Sequence, residues 1–497
     1  MRSKKAFKNI VCSLVLQFFT ILCGFITPVL IISSYGSDVN GLISSITQFL
    51  AYIVLLESGV GPVLKAALYK PIARMKKKEI SGLLKSSQNF FRKISYIFIF
   101  YIVLLIVFYP FAISEQFDFA FTISLIIIIS ISTFFEYFFG ITYRLYLSAA
   151  QETYIISIIQ VVTLILNTIL IVILVKLNYS ILAVKLVSAL VYTLRPFLQY
   201  LYVVKVKKIK IDSNVKEITI PNKWVGLSQH IASTIHSNTD IVVLTLFAKN
   251  LALVSIYSVY FLVINGIKQI IKAFSNSIDS SFGDMIAREE FDNLEIKFDL
   301  YETWYFVIVS IIYTCTIILI IPFVSVYTRD ITDANYIQYG FAFVLVFGEF
   351  IWAIRQPYNE LIKASGHFRE TRNGAWAEAI LNLVISILLV GKFGLLGVAI
   401  GTLVAMGVRT IEFIYHVNRF ILNRSMLSSF KKILLNSIAM IVCIVFFLNI
   451  PLCSNYLEWI KYAIIVFVTV FILICSLNTL FYRKNIMMLF KMFKRRR

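Results

Sequence analysis

Charge is scarce in this sequence, with only 15% of its 497 residues being Asp, Glu, Lys or Arg, against roughly a quarter in an ordinary soluble domain. That shortage excludes a protein with an ordinary aqueous exterior. Histidine occurs four times and cysteine six. Cys12, Cys23, Cys315, Cys443, Cys453 and Cys475 show neither metal-ligand spacing nor a disulfide framework, so they read as small packing residues. His230 and His236 have no cysteine or carboxylate at metal spacing, and a metal site is not expected. Also missing are a phosphate loop, a paired nucleophile and base, and any aqueous loop large enough for a nucleotide site. The glycine-rich "GKFGLLGVAIG" stands at a turn between apolar helices rather than after a strand, where its glycines serve packing. Neither an enzyme nor a cofactor is expected.

What is present is grease. Hydrophobic residues make up 59% of the chain and the mean hydropathy is +0.84. Apolar stretches of about 20 residues, the length that spans a bilayer as helix, recur from end to end. Lipid offers nothing to an exposed peptide group, so each span must be a helix or part of a closed barrel. Runs such as "FTISLIIIISISTFFEYFF" lack a barrel's alternation. The reading is an all-α polytopic membrane protein of about 14 spans, at 10–34, 41–68, 94–113, 119–145, 154–175, 180–204, 225–247, 255–281, 301–327, 339–362, 374–390, 395–415, 433–451 and 459–481. The first apolar stretch is too long for a secretory leader and lacks a cleavage site, so it is expected to remain as the first helix.

Counting loops alternately from a cytoplasmic N-terminus puts the basic segments on one side: the arm with Arg2, Lys4, Lys5 and Lys8, "KPIARMKKKEISGLLKSSQNFFRK", "KVKKIKIDSNVKEITIPNK", "ASGHFRETRN", "HVNRFILNRSMLSSFKK" and the tail "FKMFKRRR". Both termini are then expected to be cytoplasmic. The net charge of +21 is thereby topogenic, and no nucleic acid is expected, since the loops carry no aromatic platform for bases. Arg424, in one of these loops, is expected to tolerate replacement.

The longest loop, roughly 205 to 224 with Pro221, reads as a linker dividing the chain near residue 217. Sliding residues 143–175 by 215 positions matches "YRLYLSAAQETYIISIIQVVTLILNTILIVILV" to "YNELIKASGHFRETRNGAWAEAILNLVISILLV", with seven identities that include Tyr143/Tyr358 and the "ILN" at 165–167 and 380–382. The offset lays the fifth span on the eleventh. Two six-helix lobes of parallel topology follow, 1–217 and 218–423, with 424–497 adding two helices outside the repeat. Such an arrangement suits alternating access.

Charge inside a span costs about 2.5–3.5 kcal/mol by insertion scales, so each case needs a partner or a wet cavity. Span seven carries Gln229, Ser233, His236 and Asp240 on one helical face, and span eight carries Asn265, Lys268, Lys272 and Asp279 on another. Glu57, Glu136, Arg195, Glu349, Arg355, Glu378 and Arg409 lie inside spans or near their cytoplasmic ends. Arg144, Arg195, Glu360, Arg409 and Glu412 are within reach of an inner interface and read first as residues that snorkel or anchor helices. Glu57 reads as pairing with Lys65 or a neighbouring helix as readily as serving a function, and Gly59 and Gly61 beside Pro62 read as packing or bending residues. Lys268 and Lys272, one turn apart, repel each other and call for an anion or water.

Three stretches, "VNGLISSITQFLAYIVLLESGVGPVLKAALYKPIARMKKKEI", "HSNTDIVVLTLFAKNLALVSIYSVYFLVINGI" and "GHFRETRNGAWAEAILNLVISILLVGKFGLLGVAIGTLVA", resemble bacterial polysaccharide flippases of the multidrug/oligosaccharidyl-lipid/polysaccharide exporter superfamily, over nearly the whole chain and in the same order. The resemblance implies two six-helix lobes plus two extra helices, a place in the bacterial inner membrane, and transfer of undecaprenyl-diphosphate-linked oligosaccharide to the outer leaflet for O-antigen or capsule. Membrane lipids and the polymerase and ligase proteins of the same pathway would be its partners. "ARMKKKEI" departs from the more acidic loop of relatives. Residue by residue, Lys268, Lys272, Arg355 and Arg195 are the candidates for binding diphosphate or acidic sugars. Asp240, Glu57 and Glu349 are the candidates for coupling to H+ or Na+, because no nucleotide site exists to bias transport. A multidrug cation antiporter of the same superfamily is the alternative if the cavity favours acids. A membrane glycan polymerase or ligase would need a large outer loop with Arg and His, which is not there.

Overall fold

The computed structural model describes residues 2–57, 60–212, 215, 218, 227–275, 279–367, 369–483 and 485. Described elements are helical throughout: α1 (Arg2–Tyr35), α2 (Ser37–Ala51), α3 (Val54–Glu57), α4 (Val60–Ala73), α5 (Lys77–Ala112), α6 (Phe119–Phe135), α7 (Ile141–Ala149), α8 (Thr153–Lys176), α9 (Ile181–Leu201) and α10 (Leu227–Val243). There follow α11 (Leu251–Ser275), α12 (Asp279–Ala287), α13 (Phe291–Tyr327), α14 (Tyr339–Ile354), α15 (Gln356–Ser365), α16 (Arg372–Phe393), α17 (Leu395–His416), α18 (Met426–Phe446) and α19 (Tyr456–Phe481). Among the described residues, 12 helical segments are long and apolar enough to cross a membrane. The other two of the fourteen expected spans are α10, which carries the polar stripe, and the 16-residue α14. Large apolar side chains cover their outsides, with Phe18 62% and Leu388 73% exposed. Only a lipid solvent makes such a surface stable.

Several spans that read as single helices are broken, each for a local reason. Span two breaks between α2 and α3 at a turn formed by Tyr52 and Ile53. Span ten breaks at Arg355 because Pro357 cannot donate to the i−4 carbonyl and collides with it. Span four widens into a π-helical turn at Glu136–Gly140. Gly140 makes that turn's contact possible: a Cβ there would lie 2.5 Å from Pro196 Cβ on α9. Gly401 does the same between α17 and α16, where a Cβ would meet Ser386 Oγ at 2.2 Å, so this part of the glycine-rich stretch does serve packing.

The backbone itself repeats. Ten described residues have positive φ, and they fall into five pairs 213 to 216 positions apart: Gly36 and Lys249, Met75 and Glu289, Gln151 and Gly366, Asn178 and Gly394, Lys208 and Asn423. Left-handed residues end helices and turn the chain. Their recurrence at the offset of the sequence repeat therefore means that the same corners are made twice. Two π-helical turns, Tyr202–Val206 and Val417–Ile421, recur at the same offset. The long helices α5 and α13, of 36 and 37 residues, correspond as well.

Packing divides the chain into two compact units, residues 1–255 and 256–497. In the first, α10 packs on α2, and α1 lies along α8. Glu152, buried in the turn before α8, accepts from Lys5 at 2.8 Å and Lys207 at 2.5 Å, tying the start of α1 to the end of the α9 segment. In the second unit, Val307 and Ile311 of α13 form a core with Ala439 and Cys443 of α18 and Val466, Val470 and Ile474 of α19. At one end of that core Glu302, fully buried, meets Arg424 at 2.9 Å and Lys432 at 2.7 Å, and Tyr358 donates a hydrogen bond to it. Arg424 also pairs with Asp299 at 3.0 Å. This corrects the expectation that Arg424 is a neutral loop position: its side chain is 7% exposed and ties the start of α18 to α13. All six cysteines are free, and Cys23, Cys443 and Cys453 are buried.

Candidate functional site

The first unit encloses a cavity of about 480 Å³ lined by Glu57, Glu136, Tyr137, Arg144, Gln160, Tyr192, Arg195 and Gln199, among others. Its size falls in the roughly 300–1,000 Å³ range of small-molecule sites. Two of the sequence candidates, Glu57 and Arg195, meet here. Glu57 closes α3, Glu136 begins the π-helical turn, and Arg144 on α7 bridges them at 3.4 Å and 3.1 Å. Tyr137 donates to the other oxygen of Glu57 at 3.1 Å. The partner of Glu57 is thus Arg144 of a neighbouring helix rather than Lys65, and Arg144 ties its helix to two carboxylates.

Across the cavity, α9 presents Tyr192, Arg195 and Gln199 at spacings of three and four, one face of the helix. Arg195 donates from Nε to Thr163 Oγ1 at 2.8 Å, and its guanidinium lies 4.1 Å from the Tyr192 ring centroid. Asn167 holds the Tyr192 hydroxyl at 3.0 Å. Among the described residues Arg195 makes no ion pair. Gln199 is buried, and its Oε1 has no hydrogen-bond partner. Buried polar atoms are rarely left so without a role. Tyr192 and Gln199 were not picked out from sequence; their spacing from Arg195 was the available signal.

The other candidates lie elsewhere. Lys268 of α11 meets Glu349 of α14 at 2.9 Å, so the anion demanded by the lysine pair comes in part from the protein itself. Trp352, one turn along α14, lies beneath both lysines, 4.6 Å from Lys268 Nζ and 5.7 Å from Lys272 Nζ. Lys272 is exposed and has no carboxylate partner among the described residues. Arg355 is buried against Glu378 at 2.6 Å, and Glu378 also approaches Arg409 Nε at 3.7 Å. Arg409 further binds Glu412 at 2.5 Å and the Thr371 carbonyl at 2.7 Å. Asp240 is buried on α10 of the first unit and is not among the cavity's lining residues. The side chains of Gln229, His230, Ser233, His236 and Asp279, and all of Gly59, lie outside the described residues.

No protein-family model matches the chain, and no curated protein sequence matches it. Its fold does match solved structures. The lipid II flippase MurJ in its inward closed conformation superposes with a TM-score of 0.69 at 16% identity, covering 96% of this chain and 100% of that one. An inward-facing multidrug resistance MATE family transporter of the MOP superfamily superposes at 0.62 and 14% identity, covering 85% and 99%. The architecture of these residues is that shared by a lipid flippase and a MATE transporter.

Proposed function

We propose that the chain is a membrane transporter that moves an anionic lipid-linked oligosaccharide from the cytoplasmic to the outer leaflet of a bacterial inner membrane by alternating access of its two lobes, for O-antigen or capsule assembly. The observation that carries this reading is the charge on α11. Glu349 neutralises Lys268, so Lys272 remains as an exposed cation one turn away, fit to meet a diphosphate. Full-length likeness to a lipid II flippase supports it. A multidrug cation antiporter would need free acid, yet both cavity carboxylates of the first unit are held by Arg144. Glu57 and Glu349, each with a cationic partner, and the buried Asp240 are the carboxylates proposed to couple H+ or Na+ to this cycle, by exchanging partner for ion.

Proteoliposomes loaded with an undecaprenyl-diphosphate glycan provide the test. Lys272→Ala should slow flipping tenfold or more and Lys272→Arg should largely retain it; equal loss in both, or none in either, sinks the diphosphate role. Reporter fusions after residues 78, 214 and 497 should read as cytoplasmic, and fusions after 116, 178 and 251 as exported.

A further inference from the structure

The surroundings of Arg195 in the first unit's cavity differ from those of its counterpart in the second unit. The repeat offset sets Thr163 on Glu378, Gly140 on Arg355, and, one residue short of it, Arg195 on Arg409. In the second unit Glu378 supplies a carboxylate to both Arg355 and Arg409, and Arg409 is 4% exposed. In the first unit Thr163 stands at Nε of Arg195 as Glu378 does at Nε of Arg409, Gly140 contributes no side chain, and among the described residues no carboxylate pairs with the terminal amino groups as Glu412 does at Nη1 of Arg409. The terminal amino groups of Arg195 therefore face a cavity where its counterpart faces a carboxylate.

We propose that the first unit's cavity is a binding pocket for a carboxylate-bearing sugar, whose carboxylate takes at the terminal amino groups of Arg195 the place that Glu412 takes at Nη1 of Arg409. A guanidinium fork matches a planar carboxylate in two parallel hydrogen bonds. The orphaned Oε1 of Gln199 then accepts from a ligand hydroxyl, one helical turn from Arg195. Glu57 and Glu136, already spread by Arg144, offer further acceptors and would repel a second acid, which selects a single carboxylate among hydroxyls. The pocket's ligand rests on the transport reading only for its source, an acidic residue of the lipid-linked glycan; its chemistry is set by the cavity.

The test uses the purified full chain in detergent and saturation-transfer NMR, which reads weak binding, with methyl glucuronide, methyl glucoside and inorganic phosphate as probes. Saturation should reach the glucuronide and not the glucoside, fall at least tenfold in Arg195→Ala, and return in part with Arg195→Lys. Thr163→Glu, which rebuilds the pair of the second unit inside the first, should abolish the signal, whereas Thr163→Ala should preserve it. Equal saturation of both sugars, a signal undiminished in Arg195→Ala, or no signal for the glucuronide overturns the proposal. Displacement of the glucuronide by equimolar phosphate would assign the pocket to phosphate and overturn it too. Failure of the wild type to flip any lipid-linked glycan sinks the transport reading alone, since binding is measured without transport.

Discussion

Arg195 and Arg409 occupy corresponding turns of α9 and α17, and what surrounds them is opposite. Arg409 is sealed among Glu378, Glu412 and the Thr371 carbonyl, while Arg195 rests on Tyr192 and Thr163 beside an open cavity. A duplicated scaffold thus keeps its corners and varies its contents. Burying a charge is tolerable only when a partner is provided, so Arg409 with its carboxylates is held rigidly, and Arg195 beside its cavity is the place where the proposed ligand would complete the set.

If that contrast is right, the second unit should be the fragile one under mutation. Glu378→Thr, which copies the first unit's residue into the second, strips Arg355 of its carboxylate and leaves two buried guanidinium groups side by side. A loss of about 3–5 kcal/mol is expected, read as a drop in the melting temperature of the detergent-solubilised protein; an unchanged midpoint would erase the distinction between the units. Arg424→Ala comes next. Glu302 keeps Lys432, so the loss should lie near the lower end, about 3 kcal/mol, and proteolysis should release α18 and α19 sooner than in wild type.

The smallest effect concerns the turns before α8 and α16. Glu152 and His367 correspond at the repeat offset, yet Glu152 is clamped by Lys5 and Lys207 whereas His367 Nδ1 lies 3.0 Å from His416 Nε2. Burial pushes the Glu152 carboxyl up, but hydrogen bonds and charge from Lys207 and Lys5 outweigh it and hold the group below its ordinary value of 4.5. A carboxyl lowered on folding stabilises above its unfolded value and loses that contribution as pH falls through the folded one. The stability gap between wild type and Glu152→Gln should therefore be full at neutral pH and shrink as pH drops below 4.5. A gap that widens on acidification would mean that the clamp does not exist.

Much of this was legible along the chain. Spans could be read because lipid imposes one rule on every residue of a helix, and the repeat showed in "ILN" at 165–167 and 380–382. Lys268, Arg355, Glu57 and Glu349 stood out as intramembrane charges for the same reason. Their pairings did not, because Lys268 and Glu349 are 81 positions apart, and Arg144 reaches across 87 to Glu57. Nor was Arg424 recognisable as buried: a loop arginine looks the same in sequence whether it faces water or the acids of α13.

By itself, then, the amino-acid order determined an all-helical membrane protein of about fourteen spans, its duplicated frame and the identity of its buried charges, because hydropathy and helical spacing are properties of neighbours in the chain. Which charges neutralise one another, and that Arg195 is left beside a cavity without an ion pair among the described residues while Arg409 has two, only the tertiary structure decided. Ion pairing falls off within a few ångströms, and those ångströms are set by how separate helices pack.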